Sequence, residues 1–108
     1  MKILVLNGPN LNLLGVREPD IYGLETLADL ESKLEVEANE LGCEVDFRQT
    51  NSEDELIGWL HEALKAKSPV VLNPAAFTHY SYALRDACKA LTSSGFELSI
   101  FNFWKIYA

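Results

Sequence analysis

The sequence predicts an open α/β fold, a parallel sheet wound with helices on both faces. Three observations predict it. Short apolar runs alternate with amphipathic stretches in the order β-α-β-α-β-α-β along the 108 residues, and short links between alternating elements favour parallel pairing. The run Pro69-Val70-Val71-Leu72 is continuously apolar, as a strand buried on both faces should be. The runs at 2–6 and 69–72 each open into an asparagine-bearing loop, and ligands of open α/β sheets bind beyond the carboxyl ends of the strands. Residues 1–108 read as one domain.

Taken in order, residues 2–6 form the first strand and residues 7–23 a long polar connection. Long ordered connections in compact domains are usually functional. Thr26 starts a helix, with Asp29 in place of the usual Glu of a capping box. Leu27, Leu30, Leu34, Ala38 and Leu41 form its apolar stripe, acidic residues fill its other face, and Gly42 stops it. Residues 43–47 alternate apolar and polar, which places this strand near a sheet edge. Ser52 with Glu55 is a second capping box, and Leu56, Trp59, Leu60, Ala63 and Leu64 line one side of the helix it starts. A helix from about residue 79 to residue 92 turns Ala83, Leu84, Ala87 and Leu91 inward, and residues 96–100 make a fourth strand. With 43–47 at an edge and 2–6 and 69–72 central, the strand order is 2-1-3-4, a flavodoxin-like doubly wound sheet.

Composition narrows the function. At 48% hydrophobic and 23% charged, the chain reads as an ordinary globular protein. A net charge of −7 without a basic run argues against nucleic acid as a partner. No stretch approaches a membrane span, and the first apolar run is too short and too close to Pro9 for a signal peptide. Cys43 and Cys88 stand apart from any CxxC pattern and read as reduced thiols in the cytoplasm. The sequence holds no GxGxxG, no Walker loop and no metal-ligand cluster, and His61 and His79 are too isolated for a zinc site. That leaves acid–base chemistry without a cofactor, or simple binding.

The loops after strands one and three lie on the same edge of a parallel sheet, so Asn7, Asn10, Arg17, Tyr22, Asn73 and His79 surround one crevice. Asparagine amides supply donors and acceptors together. Arg17 can grip a carboxylate with two parallel hydrogen bonds, or favour the ionised form of a nearby phenol. A tyrosinate produced in that way is a usable general base. Asn7 reads as a loop-shaping residue and His61 as structural.

Three motifs then carry a resemblance. Ile3-Leu4-Val5-Leu6-Asn7-Gly8-Pro9-Asn10-Leu11-Asn12-Leu13-Leu14-Gly15 with Arg17-Glu18-Pro19 and Ile21-Tyr22-Gly23 resembles the N-terminus of the type II 3-dehydroquinate dehydratases. Phe47-Arg48-Gln49-Thr50-Asn51 is similar to a second motif of that family, and Asn73-Pro74-Ala75-Ala76-Phe77-Thr78-His79 with Arg85-Asp86 to a third. The resemblance implies a trimer-based dodecamer working in the shikimate pathway of aromatic amino acid biosynthesis or in quinate catabolism. It implies anti elimination of water from 3-dehydroquinate through an enolate, without metal or cofactor. Tyr22 would be the base, Arg17 would keep it ionised, and Asn10 would hold the water that stabilises the enolate. Asn73 and His79 would bind the substrate, with Arg85 beside them in the same motif, and Asp86 would reach into a neighbouring subunit's site.

The family pattern continues with a strand carrying Glu-x-His, whose His is the general acid, and then a Ser-Asn pair that holds the substrate carboxylate. In register, Glu97 falls on the Glu and Asn102 on the Asn, but Ser99 stands at the His and Phe101 at the Ser. A later substrate-binding Arg, the last strand and the terminal helix have no counterpart within the 108 residues, so the sequence reads as a C-terminally truncated or diverged member of the family. Two further classes follow: a non-catalytic partner of full-length subunits, or a flavodoxin-like binding module for another small anion.

Overall fold

The computed structural model describes residues 2–16, 20, 23–76, 81–93, 95 and 98–100. Four parallel strands form one sheet in the order β2-β1-β3-β4: β1 (Lys2–Asn7), β2 (Glu44–Gln49), β3 (Val70–Asn73) and β4 (Leu98–Ile100). Among the described residues three helices connect them, α1 (Leu27–Glu40), α2 (Glu53–Ala66) and α3 (Tyr82–Ser93). The doubly wound order expected from the hydrophobic pattern is the observed one, with the alternating strand at the edge. A short 3-10 turn, Leu11–Leu13, interrupts the first connection.

The core lies on the face of the sheet covered by α2 and α3. Leu4 and Leu6 of β1 and Val70 and Leu72 of β3 meet Leu56, Leu60 and Ala63 of α2 and Leu84, Ala87 and Cys88 of α3. Leu6, Leu56, Leu60 and Leu72 are sealed from solvent, and each such side chain stabilises the fold by about 1.5–3 kcal/mol relative to exposure. Burial of the Cys88 thiol pushes its pKa up, which keeps it protonated.

The opposite face is thinner. Helix α1 lies over β2 and β1, where Leu30, Lys33, Leu34 and Glu37 border an open groove of about 280 Å3 floored by Val5, Asn7 and Phe47. Of the stripe expected on α1, only Ala38 is fully buried, and Leu41, in the turn that ends the helix, is 80% exposed. Strand β3 is likewise not buried on both faces: Val71 is 37% exposed, and among the described elements α1 packs chiefly on β2. Ala83 is also exposed rather than inward; the helix it belongs to starts at Tyr82, and the inward positions fall on Leu84, Ala87 and Cys88.

The helix ends follow from local chemistry. Thr26 and Asp29 form a reciprocal capping box, each main-chain N–H donating to the other's side chain. The turn after α1 is a Schellman motif: Cys43 N–H donates to Ala38 O and Gly42 N–H to Asn39 O, with Gly42 at φ +76°. Only half of the expected box at Ser52 forms. Ser52 Oγ accepts from Glu55 N–H, but Ser52 N–H donates to Thr50 Oγ1 and leaves Glu55 no reciprocal bond. Ser81 caps α3, its Oγ accepting from Leu84 N–H.

Candidate functional site

The carboxyl ends of the three longer strands are level. Asn7 pairs in register with Gln49 on one side and with Asn73 on the other. Three carboxamide residues therefore stand in a row across β2, β1 and β3. Beyond them the main chains stay joined: Thr50 N–H donates to Asn7 O at 3.0 Å and Gly8 N–H to Asn73 O at 2.8 Å. The loops after β1, β2 and β3 thus leave the sheet as one connected rim.

Asn7 is buried, and its Nδ2 donates to Arg48 O at 3.0 Å. It ties β1 to β2, a strand-to-strand link rather than the loop-shaping role its position suggests. Asn10 is exposed and sits at φ 69° before the 3-10 turn, in the left-handed region that Asn tolerates better than most residues. Its carboxamide makes no capping bond to that turn. Asn73 uses its Oδ1 to accept from Ala75 N–H at 3.2 Å, which orients the carboxamide. Ala75 is completely buried at φ 51°, a conformation that costs a non-glycine residue on the order of 1–2 kcal/mol. Strain of that kind concentrates at functional loops.

Gly8 fits the rim for a steric reason. A Cβ at this position would lie 2.5 Å from Pro74 O and 3.2 Å from Asn73 O. The loop after β3 passes so close that only a glycine leaves it room.

Arg17, Tyr22, His79, Glu97 and Asn102 lie outside the described residues. Ser99 belongs to β4, in register with Val71 of β3. Arg85 and Asp86 are exposed on α3, and the Arg85 guanidinium stacks over the Tyr82 ring at 5.6 Å. Among the described residues no group of three or more His, Cys, Asp or Glu is arranged to hold a metal ion, and no helix is long and apolar enough to cross a membrane.

Two groups of residues were not assigned roles from the sequence. Gln49 and Asn51 reach the first loop: Gln49 Nε2 donates to Gly8 O at 3.2 Å, and Asn51 Oδ1 accepts from Asn10 N–H at 2.9 Å. These contacts join residues 41 apart in sequence, and no local pattern announces them. Arg48 anchors the edge strand. It donates to Asp46 at 2.7 and 3.0 Å and to Glu62 at 2.9 Å through each terminal nitrogen, and it lies 5.4 Å from the Trp59 ring centre. Hydrogen bonds from Arg48 hold the Asp46 and Glu62 carboxyls below their ordinary range, and the two carboxylates raise the guanidinium in turn. The Asp46-x-Arg48 spacing, two residues on one strand face, was the available signal.

Fold and site together define a flavodoxin-like α/β protein whose strand ends present a polar, amide-rich rim. The family model for class II dehydroquinases matches residues 1–106. The chain is 59% identical over 102 residues to the 3-dehydroquinate dehydratase of Kineococcus radiotolerans, covering 94% of this chain and 70% of that protein. It is 53% identical over 104 residues to that of Pelotomaculum thermopropionicum, covering 96% and 72%. Its fold is similar to the crystal structure of type II dehydroquinase from Butyrivibrio crossotus, with a TM-score of 0.87 at 42% identity over 93% of this chain and 68% of that one. The chain belongs to the class II dehydroquinase family.

Proposed function

We propose that this chain is a 3-dehydroquinate dehydratase, a hydro-lyase that converts 3-dehydroquinate to 3-dehydroshikimate. The observation that carries this reading is the 59% identity to a dehydratase over 94% of the chain. Asn73 at the end of β3 and the exposed Asn10 support it, since they bring polar side chains to one edge of the sheet. In this reading the Arg17 guanidinium favours the ionised Tyr22 phenol, and the phenolate oxygen takes the C2 proton of the substrate. The C–H electron pair moves into the carbonyl to give an enolate, stabilised by a water held at Asn10. The enolate then re-forms the carbonyl as the C1 hydroxyl departs anti to the lost proton, leaving as water once protonated. Asn73, His79 and Arg85 hold substrate oxygens.

The departing hydroxyl needs a proton, and Ser99 stands where the family places the His that supplies it. A serine hydroxyl is far too weak an acid near neutral pH, so turnover is slower than in a relative with the His by roughly 10²–10⁴-fold. Glu97 and Asn102 remain as parts of the same acid and carboxylate motif. We place the reaction in the cytoplasm, in aromatic amino acid biosynthesis or quinate catabolism, and the chain in a trimer-based dodecamer as one domain. The exposure of Asp86 supports a role at a neighbouring subunit.

The test is absorbance of the conjugated enone product from 3-dehydroquinate, with the parent chain and Ser99→His side by side. The expected result is slow turnover by the parent and a gain of about 10²-fold or more on restoring the imidazole. A folded parent without turnover contradicts the dehydratase reading. It favours the second reading, which Ser99 also motivates: a non-catalytic subunit that assembles with an intact homologue. Sedimentation of the two chains mixed, showing only separate species, would remove that alternative.

A further inference from the structure

We propose that Gln49 and Asn51 form an amide relay that positions Asn10 for the reaction; the inference rests on the dehydratase reading for the role of Asn10. The relay starts at a group whose polarity is fixed. The Asn10 main-chain N–H can only donate, so the Asn51 atom 2.9 Å from it is the side-chain oxygen. The same oxygen lies 3.1 Å from the Gln49 amide nitrogen, which also faces Gly8 O at 3.2 Å and Asn12 Oδ1 at 3.5 Å. The Gly8 carbonyl can only accept, so the Gln49 atom facing it is the nitrogen. Two main-chain groups of the first loop therefore dictate the orientation of both carboxamides.

The consequence falls on Asn10. It holds a left-handed conformation at φ 69° and draws no capping bond from its own side chain. Its main chain is held from outside, by the loop after β2. Asn51 is the group that fixes the Asn10 N–H, and with it the backbone from which the Asn10 carboxamide projects. Gln49 fixes Asn51 and clamps Gly8, whose N–H in turn holds Asn73 O at 2.8 Å. Both are positioning residues: they act through Asn10 and need not touch substrate.

The test uses Asn51→Ala and Asn51→Asp. Alanine removes the acceptor, whereas the aspartate carboxylate can accept from both Asn10 N–H and Gln49 Nε2. A displacement of catalytic groups by about 1 Å can cost 10²-fold, so Asn51→Ala should lower kcat by about 10–100-fold with KM changed less than about threefold. Asn51→Asp should stay within about threefold of the parent, although both substitutions fall on an exposed residue with small effects on Tm. A kcat for Asn51→Ala equal to the parent's, or an Asn51→Asp variant as slow as Asn51→Ala, overturns the proposal.

A second readout does not depend on turnover. The Asn10 amide proton, followed by NMR, should shift and lose exchange protection in Asn51→Ala and keep both in Asn51→Asp. An unchanged Asn10 amide in Asn51→Ala overturns the relay whether or not the parent is active. An inactive parent in which Asn10 responds as expected refutes the dehydratase reading and the rate claim with it, and leaves only the contact.

Discussion

Gly8→Ala should couple loss of stability to loss of activity through one contact. The added Cβ would meet Pro74 O at 2.5 Å, where ordinary contact begins at 3.4 Å, so rigid backbone must give by about 0.9 Å. Nothing flexible can absorb this, because the nearest atoms are the main-chain oxygens and carbon of Asn73 and Pro74. Overpacking of this kind costs about 1–3 kcal/mol, and weakening the 2.8 Å bond from Gly8 N–H to Asn73 O adds about 1 kcal/mol. The expected loss is therefore about 2–4 kcal/mol, which at a typical urea slope lowers the midpoint by about 1–2 M. The same shift moves the Asn73 loop away from the first loop, so kcat should fall by about tenfold or more. The assay is urea denaturation followed by circular dichroism, with turnover measured on the same preparations. A variant within about 0.5 kcal/mol of the parent, with unchanged kcat, would refute the claim that the two loops are held by this close approach.

Other outcomes follow from single residues. Lys67 ends α2 at φ 56°, a left-handed conformation that glycine adopts freely, so Lys67→Gly should raise stability by about 0.5–1 kcal/mol in urea denaturation, and a loss would contradict the expectation. Arg48 holds the Asp46 and Glu62 carboxyls below their ordinary values of 3.8 and 4.5. Their folded-state pKa values are depressed, so their contribution is present above the unfolded values and disappears as pH falls through the folded ones. Arg48→Met should be less stable at neutral pH, and the gap to the parent should narrow as pH falls from neutral through 4.5 and 3.8 to the lower folded-state values. Parallel curves across that window would show that the ion pairs do not set the acid sensitivity.

The sheet was legible because its determinants are local. Thr26 with Asp29, Gly42 after Leu41, and the alternation from Cys43 to Phe47 each act within a few residues, and each does in the structure what its chemistry suggests. Ser52 escaped because its N–H had a nearer acceptor in Thr50 Oγ1, a competition that a pairwise motif does not register. Val71 escaped because burial depends on what covers a face, and Ala83 because the inward positions of α3 fall on Leu84, Ala87 and Cys88. The same division runs through the site. Asn73 announced itself as an asparagine at a strand end, and Asn10 as one in the loop that follows β1. Gln49 and Asn51 belong to the site through tertiary contacts with the first loop, and the residue types alone gave them no role.

The most direct measurement is steady-state turnover of 3-dehydroquinate by the purified chain against Tyr22→Phe, each shown to be folded by circular dichroism. Removing one phenolic oxygen removes the proposed base and leaves the ring's packing volume nearly unchanged. The expected result is measurable turnover in the parent and a fall of about 10²-fold or more in kcat for the variant. Equal turnover in the two proteins would contradict the assignment of Tyr22 as the base.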